Sequence, residues 1–288
     1  MLRVGIVGSE NSHTLHFAKL INVEKKFRGT KVVAVWGEEP NHTQNVAQQT
    51  GIPEIVTKPE KMVGKVDLAI VDHRHARYHI PAATPLVRAG IPVLVDKPFS
   101  WNVPEGKRLL ALAAKKKTLV TSYSCVRYSD GFLKDKETIQ GLGKITSVDY
   151  FGPCDVNSPY GGIFFYGIHQ VEMMTAHLGI DVVAVQFNKG TTNDHTATVY
   201  YKDGPIVTLH LLKDYKGGFR YTFCGAGGTV HLPLDYSGLY EKGLKAFFRM
   251  VKSGKNDFSE RELLAPVAIL ETLAKSIQSG QREKIKKF

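Results

Sequence analysis

Apolar and polar positions along the chain follow two grammars, which change near residue 122. Leu2–Val7 is a short apolar, β-branched run, followed by Gly8-Ser9-Glu10-Asn11-Ser12 and then a helical pattern from His13 to about Val23. This predicts strand, turn and helix. A second apolar strand over Lys31–Trp36, a polar helical segment ending at Gly51 and a strand over Leu68–Val71 extend the alternation. Pro81–Ala89 reads as a helix closed by Gly90, and Ile91–Val95 as a fully buried strand. Pro104–Lys117 reads as a helix with Glu105 at its start and lysines at its end, and Leu119–Ser122 as the next strand. Strands that alternate with helices pair in parallel through crossovers.

Beyond residue 122, candidate strands follow one another at Ile145–Phe151, Val182–Phe187, Thr196–Tyr201, Ile206–Leu212, Phe219–Cys224 and Thr229–Leu232. The Lys202-Asp203-Gly204 turn joins two of them as a hairpin, so a mostly antiparallel sheet is predicted. A helical segment near Gly161–Leu178 interrupts the run. Leu244, Phe247, Phe248 and Val251 keep i, i+3, i+4, i+7 spacing, and Ser259 with Glu262 resembles a capping box. Pro266 is expected to kink the final helix or delay its start to about Ala265. No repeat or low-complexity linker separates the two halves.

Composition narrows the class. At roughly 150 residues per domain, 288 residues make about two domains, and 43% hydrophobic with 23% charged residues is ordinary for a globular chain. A peptide hormone, a disulfide-stapled scaffold and a disordered chain are thereby excluded. The net charge, 38 − 27 = +11, favours anionic small molecules, nucleotides or polyanions. Its tight clusters, Lys115–Lys117 and the Arg282–Lys287 tail, lack the interleaved aromatics of a strand-binding surface, so no nucleic-acid partner is expected. Cys125, Cys154 and Cys224 are odd in number and in no metal spacing, which fits a reducing compartment and buried small side chains. No run reaches the ~18 apolar residues of a membrane span, and the N-terminus lacks a signal-peptide pattern. A cytoplasmic address without a membrane partner is the expectation.

The first turn is where a Rossmann domain would hold a dinucleotide pyrophosphate on backbone N–H groups. Gly8-Ser9-Glu10-Asn11-Ser12-His13 occupies the frame G-x-G-x-x-G and keeps only the first glycine. Glu10 puts a carboxylate where pyrophosphate would approach, and His13 in the third glycine's place should push helix and strand apart. A plain strand-to-helix turn capped by Ser12 is the competing reading. After the second strand, Trp36-Gly37-Glu38-Glu39 supplies two acids where a ribose-binding acid is expected. Glu38 could accept both ribose hydroxyls and would repel a 2′-phosphate, favouring NAD over NADP; the bland alternative is two solvated loop charges.

Val93-Leu94-Val95-Asp96-Lys97-Pro98 ends a buried strand with an acid–lysine–proline triplet, and Gly167-Ile168-His169-Gln170-Val171-Glu172 opens a helix with a histidine and an acid three apart. Both spacings, with their order and separation, resemble the glucose–fructose oxidoreductase/inositol dehydrogenase (Gfo/Idh/MocA) family, whose members carry E-K-P and G-x-H-x-x-D there. Weaker echoes are Val66-Asp67, His79, Gly90, Arg127-Tyr128, Gly143-Lys144-Ile145 and Gly225–Thr229. The resemblance implies a catalytic Lys97 that contacts substrate hydroxyl and nicotinamide ribose, a Pro98 whose preceding bond is often cis, and an acid/base His169. Glu172 is one methylene longer than the family's aspartate and Asp96 one shorter than its glutamate. The loop His73-Arg74-His75-Ala76-Arg77-Tyr78-His79 stands where T-P-N-x-x-H is usual and should border the cofactor; Phe165 stands where many relatives have aspartate.

Chemistry supports the same residues. Oxidising an alcohol requires removal of the hydroxyl proton as hydride leaves carbon, so a lysine or histidine titrating near neutrality must reach it. A lysine at a strand's carboxyl end lies in the crevice where α/β ligands bind and can steady an alkoxide. His169 and Glu172, at i and i+3, share a helix face, so the carboxylate can orient the imidazole. His73, His75 and His79, like His13 with His16, have no acid or cysteine at ligand spacing, and no metal is expected.

The reading is therefore an α/β chain: an N-terminal Rossmann domain with a doubly wound parallel sheet over 1–121, and a C-terminal α+β domain with an open, mostly antiparallel sheet over 122–288. The expected activity, in a site between the domains, is NAD(P)-dependent hydride transfer to or from a secondary hydroxyl of a sugar, cyclitol or related polyol. Lys97, His169 and Glu172 are the catalytic candidates. Gly8, Ser9, Glu10, Asn11, Ser12, Glu38, His73, Asp96, Lys97 and Pro98 are the cofactor-binding candidates, with NAD preferred. Arg127, Asp155, Asn157 and Tyr160 are substrate contacts placed by loop position. Family relatives associate through the open sheet, which implies a homodimer or homotetramer. Two rivals share these residues: a non-catalytic relative with a degenerate dinucleotide site that binds a ligand, and a redox-neutral lyase or glycosidase working on bound NAD.

Overall fold

A computed structural model describes residues 1–288. The chain forms two compact units, residues 1–123 with 240–263 and residues 124–239 with 264–288. The segment 240–263, read from sequence as part of the C-terminal domain, thus clusters with the first unit.

In the first unit, β1 (Leu2–Val7), β2 (Thr30–Trp36), β3 (Glu54–Ile55), β4 (Leu68–Val71), β5 (Val93–Val95) and β6 (Val120–Ser122) form one sheet in the order β3-β2-β1-β4-β5-β6. Every pairing is parallel. The longer crossovers hold α1 (Ser12–Ala18), α2 (Pro40–Thr50), α3 (His79–Arg88) and α4 (Val103–Lys116). β4 and β5 are buried along their whole length, as continuous apolar runs require when helices cover both faces of a sheet. Full burial of a side chain such as Leu68 or Ile70 stabilises the fold by roughly 1.5–3 kcal/mol. The strand order reverses between β1 and β4, so the loops after these strands diverge and open a crevice at the sheet's carboxyl edge.

Local chemistry moved some expected boundaries. Asn11, not Ser12, caps α1, its Oδ1 accepting from His13 N at 3.3 Å, because a side-chain carbonyl reaches the backbone N–H two residues on. Asn102 caps α4 by accepting from Glu105 N at 2.9 Å, and Lys117 ends it at φ 51. Thr14 returns to the loop after β1, its Oγ1 donating to Gly8 O at 2.9 Å, while the His13 imidazole lies toward the ends of β4 and β5.

The second unit contains α5 (Asp130–Gln140), β7 (Ile145–Pro153), α6 (Ile163–Leu178), β8 (Val182–Asn188), β9 (His195–Tyr201), β10 (Ile206–Leu212), β11 (Arg220–Gly225) and β12 (Gly228–Pro233). α7 (Leu239–Ser253), which clusters with the first unit, and α8 (Glu260–Ser279), which belongs to the second from Leu264 on, follow, and β13 (Glu283–Lys284) ends the regular structure. The seven strands run β12-β11-β7-β10-β9-β8-β13, antiparallel except for β10 beside β7. β9 and β10 alternate buried and part-exposed residues, the signature of a sheet packed on one face. Tyr150, Tyr221 and Phe223 pack with His177 of α6 on that face.

α5 carries few apolar positions, with only Phe132 and Ile139 buried, which is why periodicity did not mark it. Pro266 does not delay α8. The capping box closes the first turn, Glu262 Oε2 accepting from Ser259 N at 2.9 Å and Ser259 Oγ from Glu262 N at 3.3 Å, and the helix continues through the proline to Ser279. Cys125 and Cys154 are buried as expected, whereas Cys224 is partly exposed at the sheet's β11 strand. No helix is long and apolar enough to cross a membrane.

Candidate active site

The crevice of the first unit begins at Gly8, which lies at φ 103. A Cβ there would meet the Asp72 carbonyl carbon and the His73 nitrogen, each at 2.6 Å, so the turn after β1 is closed to any other residue. Ser9 is fully buried and shares a 2.8 Å hydroxyl contact with Thr43. Glu10 turns away from α1: its Oε1 accepts from Glu39 N at 2.9 Å and so caps the loop after β2. Glu38 Oε1 lies 3.1 Å from Nδ1 of His73, which follows β4 by two residues. This contact with His73 holds the Glu38 carboxyl below its usual range, despite partial burial.

Beneath that rim lies a second cluster, deeper in the crevice. Asp72 is fully buried; Asn11 Nδ2 donates to its Oδ1 at 2.7 Å and Thr14 Oγ1 to its Oδ2 at 2.7 Å. Burial, and then the charge of Asp96, push the Asp72 carboxyl well above its ordinary range. Asp96 behaves oppositely. Burial opposes its ionisation, yet the charges of His13 and Lys97 outweigh that and hold it below the usual range. The two buried carboxyls are thus shifted in opposite directions. Lys97 Nζ lies 3.7 Å from Asp96 Oδ2, and the bond between Lys97 and Pro98 is cis. His79, wholly buried, spans the crevice wall with Nδ1 2.7 Å from Pro98 O and Nε2 2.9 Å from His73 O. Burial lowers its pKa to about 4, so the neutral ring donates to one of these carbonyls at neutral pH.

These residues fit the adenosine and pyrophosphate half of a dinucleotide. Glu10 Oε2 and both ring nitrogens of His73 are buried without a well-formed hydrogen bond. Buried polar atoms left unpaired in a fold are costly, which marks the place where a polar ligand completes them. Asn11, Ser12 and Gly8 line the turn, while Asp96, Lys97 and Pro98 stand at the β5 end.

In the second unit, β7 leads through Cys154 to the loop that precedes α6. Gly167 permits a close approach: a Cβ there would stand 2.7 Å from Ile163 Cγ1 and 3.4 Å from Cys154 Sγ. His169, two residues on, is buried, and its Nδ1 lies 2.9 Å from Oγ of the fully buried Ser124. Glu172 accepts at Oε2 from Arg127 Nη1 at 3.1 Å. Ser124, which sequence reading did not single out, is therefore the group that engages the imidazole; its one signal is that it follows β6 by two residues. Asp72 was missed in the same way, as a strand-end acid.

Around His169 the rings of Tyr160, Phe165 and Tyr166 form a chain, with centroids 4.9 Å and 5.0 Å apart, and Tyr166 lies 5.7 Å from the imidazole. Phe219 closes its other side at 5.3 Å. Asp155 is engaged locally, receiving Asn157 N at 2.8 Å and pairing with Lys213 at 3.5 Å, and Asn157 is exposed. The acids absent at ligand spacing in the sequence are supplied by the fold: Glu10 and Glu38 beside His73, Asp72 and Asp96 beside His13.

Sheet order, glycine turn and the polar groups at the carboxyl ends of β1, β2, β4 and β5 define a dinucleotide-binding Rossmann domain. Residues 2–124 match the model of the Gfo/Idh/MocA family, described as an oxidoreductase family with an NAD-binding Rossmann fold. The uncharacterized oxidoreductase YhhX of Escherichia coli is 30% identical over 160 residues, 49% of this chain and 46% of that protein. The match thus spans about half of that relative's length. Inositol 2-dehydrogenase 4 of Saccharopolyspora erythraea is 24% identical over 81% of this chain and 74% of its own. The fold matches the crystal structure of myo-inositol dehydrogenase from Lactobacillus casei in complex with NAD(H) and myo-inositol, with a TM-score of 0.84 at 16% identity over 100% of this chain and 98% of that one. NAD, the cofactor expected from Glu38, agrees with the family description.

Proposed function

We propose that the protein is an NAD-dependent oxidoreductase that moves a hydride to or from a secondary hydroxyl of a cyclitol, sugar or related polyol. The observation that carries this is the buried His169, held at Nδ1 by a hydroxyl and walled by aromatic rings. A hydroxyl both donates and accepts. When Ser124 accepts from Nδ1–H, Nε2 presents a lone pair and takes the substrate's hydroxyl proton; when Ser124 donates, Nε2–H returns that proton to a carbonyl. NAD, when bound, supplies the hydride acceptor or, reduced, the donor. Lys97 at the β5 end steadies the alkoxide as it develops. Glu172 and Arg127 neutralise each other beside this histidine, and Arg127, Asp155, Asn157 and Tyr160 offer polar contacts to a polyol whose apolar face lies on Tyr160, Phe165 or Tyr166. Glu38 receives the adenosine ribose, with Gly8, Ser9, Asn11 and Ser12 at the phosphates. Inositols are the substrate class favoured by the relatives. The open sheet is the surface through which two or four copies associate.

The test begins with mass spectrometry of cofactor released from the purified protein, followed by a screen of polyols for NADH formation. Lys97→Met and His169→Asn should each lower kcat by about 10²–10⁴, as loss of positioned acid/base groups does. Turnover at the wild-type rate in both variants would remove the assignment. Absence of binding heat with NAD, NADH, NADP and NADPH would instead favour a non-catalytic ligand-binding relative.

A further inference from the structure

The residue in the third glycine's place of the phosphate-loop frame is His13, and two further groups converge with it on one carboxylate oxygen. Asp96 Oδ2 lies 3.2 Å from His13 Nδ1, 3.4 Å from Asn11 Nδ2 and 3.7 Å from Lys97 Nζ. Asp96 and Lys97 are almost wholly buried, so their charges act on each other through little water. The His13 N–H is not aligned for a hydrogen bond to that oxygen, so the contact is electrostatic and its strength follows the charge on the ring.

We propose that His13 is a positioning residue for Lys97, acting through the shared Asp96 oxygen. When the imidazole is protonated, it claims the Asp96 anion and repels the Lys97 ammonium; when it is neutral, the anion compensates the lysine alone. The inference rests on the role given to Lys97 above. Other groups facing His13 are few: Asp72 at 3.9 Å, the Tyr240 ring of α7 at 5.1 Å, and His16 and Phe17 on its own helix. His79, from α3, faces Asp96. Asp72 is held by Asn11 and Thr14 and burial pushes its carboxyl above the ordinary range, so Asp96, at 3.2 Å, is the nearer carboxylate to His13. The most exposed end of this chain of charges is the imidazole, whose side chain is 12% exposed, against 3% for Asp96 and 5% for Lys97. His13 is thus the member of the set nearest to solvent.

NMR on protein with isotope-labelled histidine tests the coupling without substrate or cofactor. The ring signal of His13, assigned by its loss in His13→Asn, should move in Lys97→Met and in Asp96→Asn, while that of exposed His42 stays in place. Kinetics with NAD and myo-inositol as the probe give a second readout. His13→Asn leaves an amide near the Nδ1 position, so kcat/KM should stay within about threefold of wild type, whereas His13→Ala, which leaves nothing beside the Asp96 oxygen, should lower it about tenfold. A His13 signal unmoved in both Lys97→Met and Asp96→Asn overturns the inference. Absence of turnover on any polyol would overturn the proposed function instead, and the ring signal would still decide the coupling.

Discussion

Ser124 Oγ stands 2.9 Å from His169 Nδ1, with the serine fully buried. A carboxylate in that place would favour the imidazolium; the hydroxyl leaves the ring able to run in either direction. Ser124→Ala should lower kcat for both polyol oxidation and ketone reduction by roughly tenfold or more, with a smaller effect on KM. Ser124→Thr, which restores a hydroxyl, should recover part of the loss. Equal activity of Ser124→Ala in both directions would show that the imidazole needs no partner at Nδ1.

The proposed ribose contact of Glu38 requires its carboxylate to exchange His73 for the ribose hydroxyls. Calorimetry should give NAD and NADH tighter binding than NADP and NADPH, because an anionic Glu38 repels a 2′-phosphate. Glu38→Gln removes the charge while keeping an acceptor, so it should narrow the NAD preference by about tenfold, on the order of 1.4 kcal/mol. An unchanged preference would place the ribose elsewhere.

Gly8→Ala should be severely destabilising. The added methyl would have to enter the backbone of Asp72 and His73 at 2.6 Å from a residue at φ 103. A loss of about 2–4 kcal/mol, read as a lower urea midpoint at unchanged m-value, is the expected result. A wild-type midpoint would mean that the turn relaxes at little cost.

His79 makes stability depend on pH with a defined sign. Its pKa in the folded chain is about 4, whereas an exposed imidazole titrates near ~6.5. Between those values the unfolded chain holds a proton that the folded one does not, so stability falls as pH drops through this window, by up to about 1.4 kcal/mol per pH unit. Above ~6.5 both forms are neutral and His79 contributes no pH dependence. Urea midpoints taken at about pH 7, 6 and 5 should decline less steeply in His79→Asn than in wild type. Parallel declines would show that other groups carry the acid sensitivity.

Much of the fold is local and so was legible in the sequence. β4 and β10 run over Leu68–Val71 and Ile206–Leu212, as their apolar patterns specify, since each strand's burial is set by its own alternation or continuity. The change of grammar near residue 122 foretold a parallel sheet followed by a mostly antiparallel one. The strand-end position of Lys97 and the helical spacing of His169 and Glu172 are likewise sequence properties. What each side chain meets was decided by the tertiary structure. Asn11 bonds Asp72 across 61 residues, and Ser124 and Arg127 reach His169 and Glu172 across 45, distances over which no periodicity carries information. Glu10, which in sequence stands in the path of a pyrophosphate, caps the loop after β2 because that loop lies beside it in the sheet. The return of residues 240–263 to the first unit has the same origin: an amphipathic stripe in the sequence says that a helix will bury one face, and only the folded chain supplies the surface that covers it.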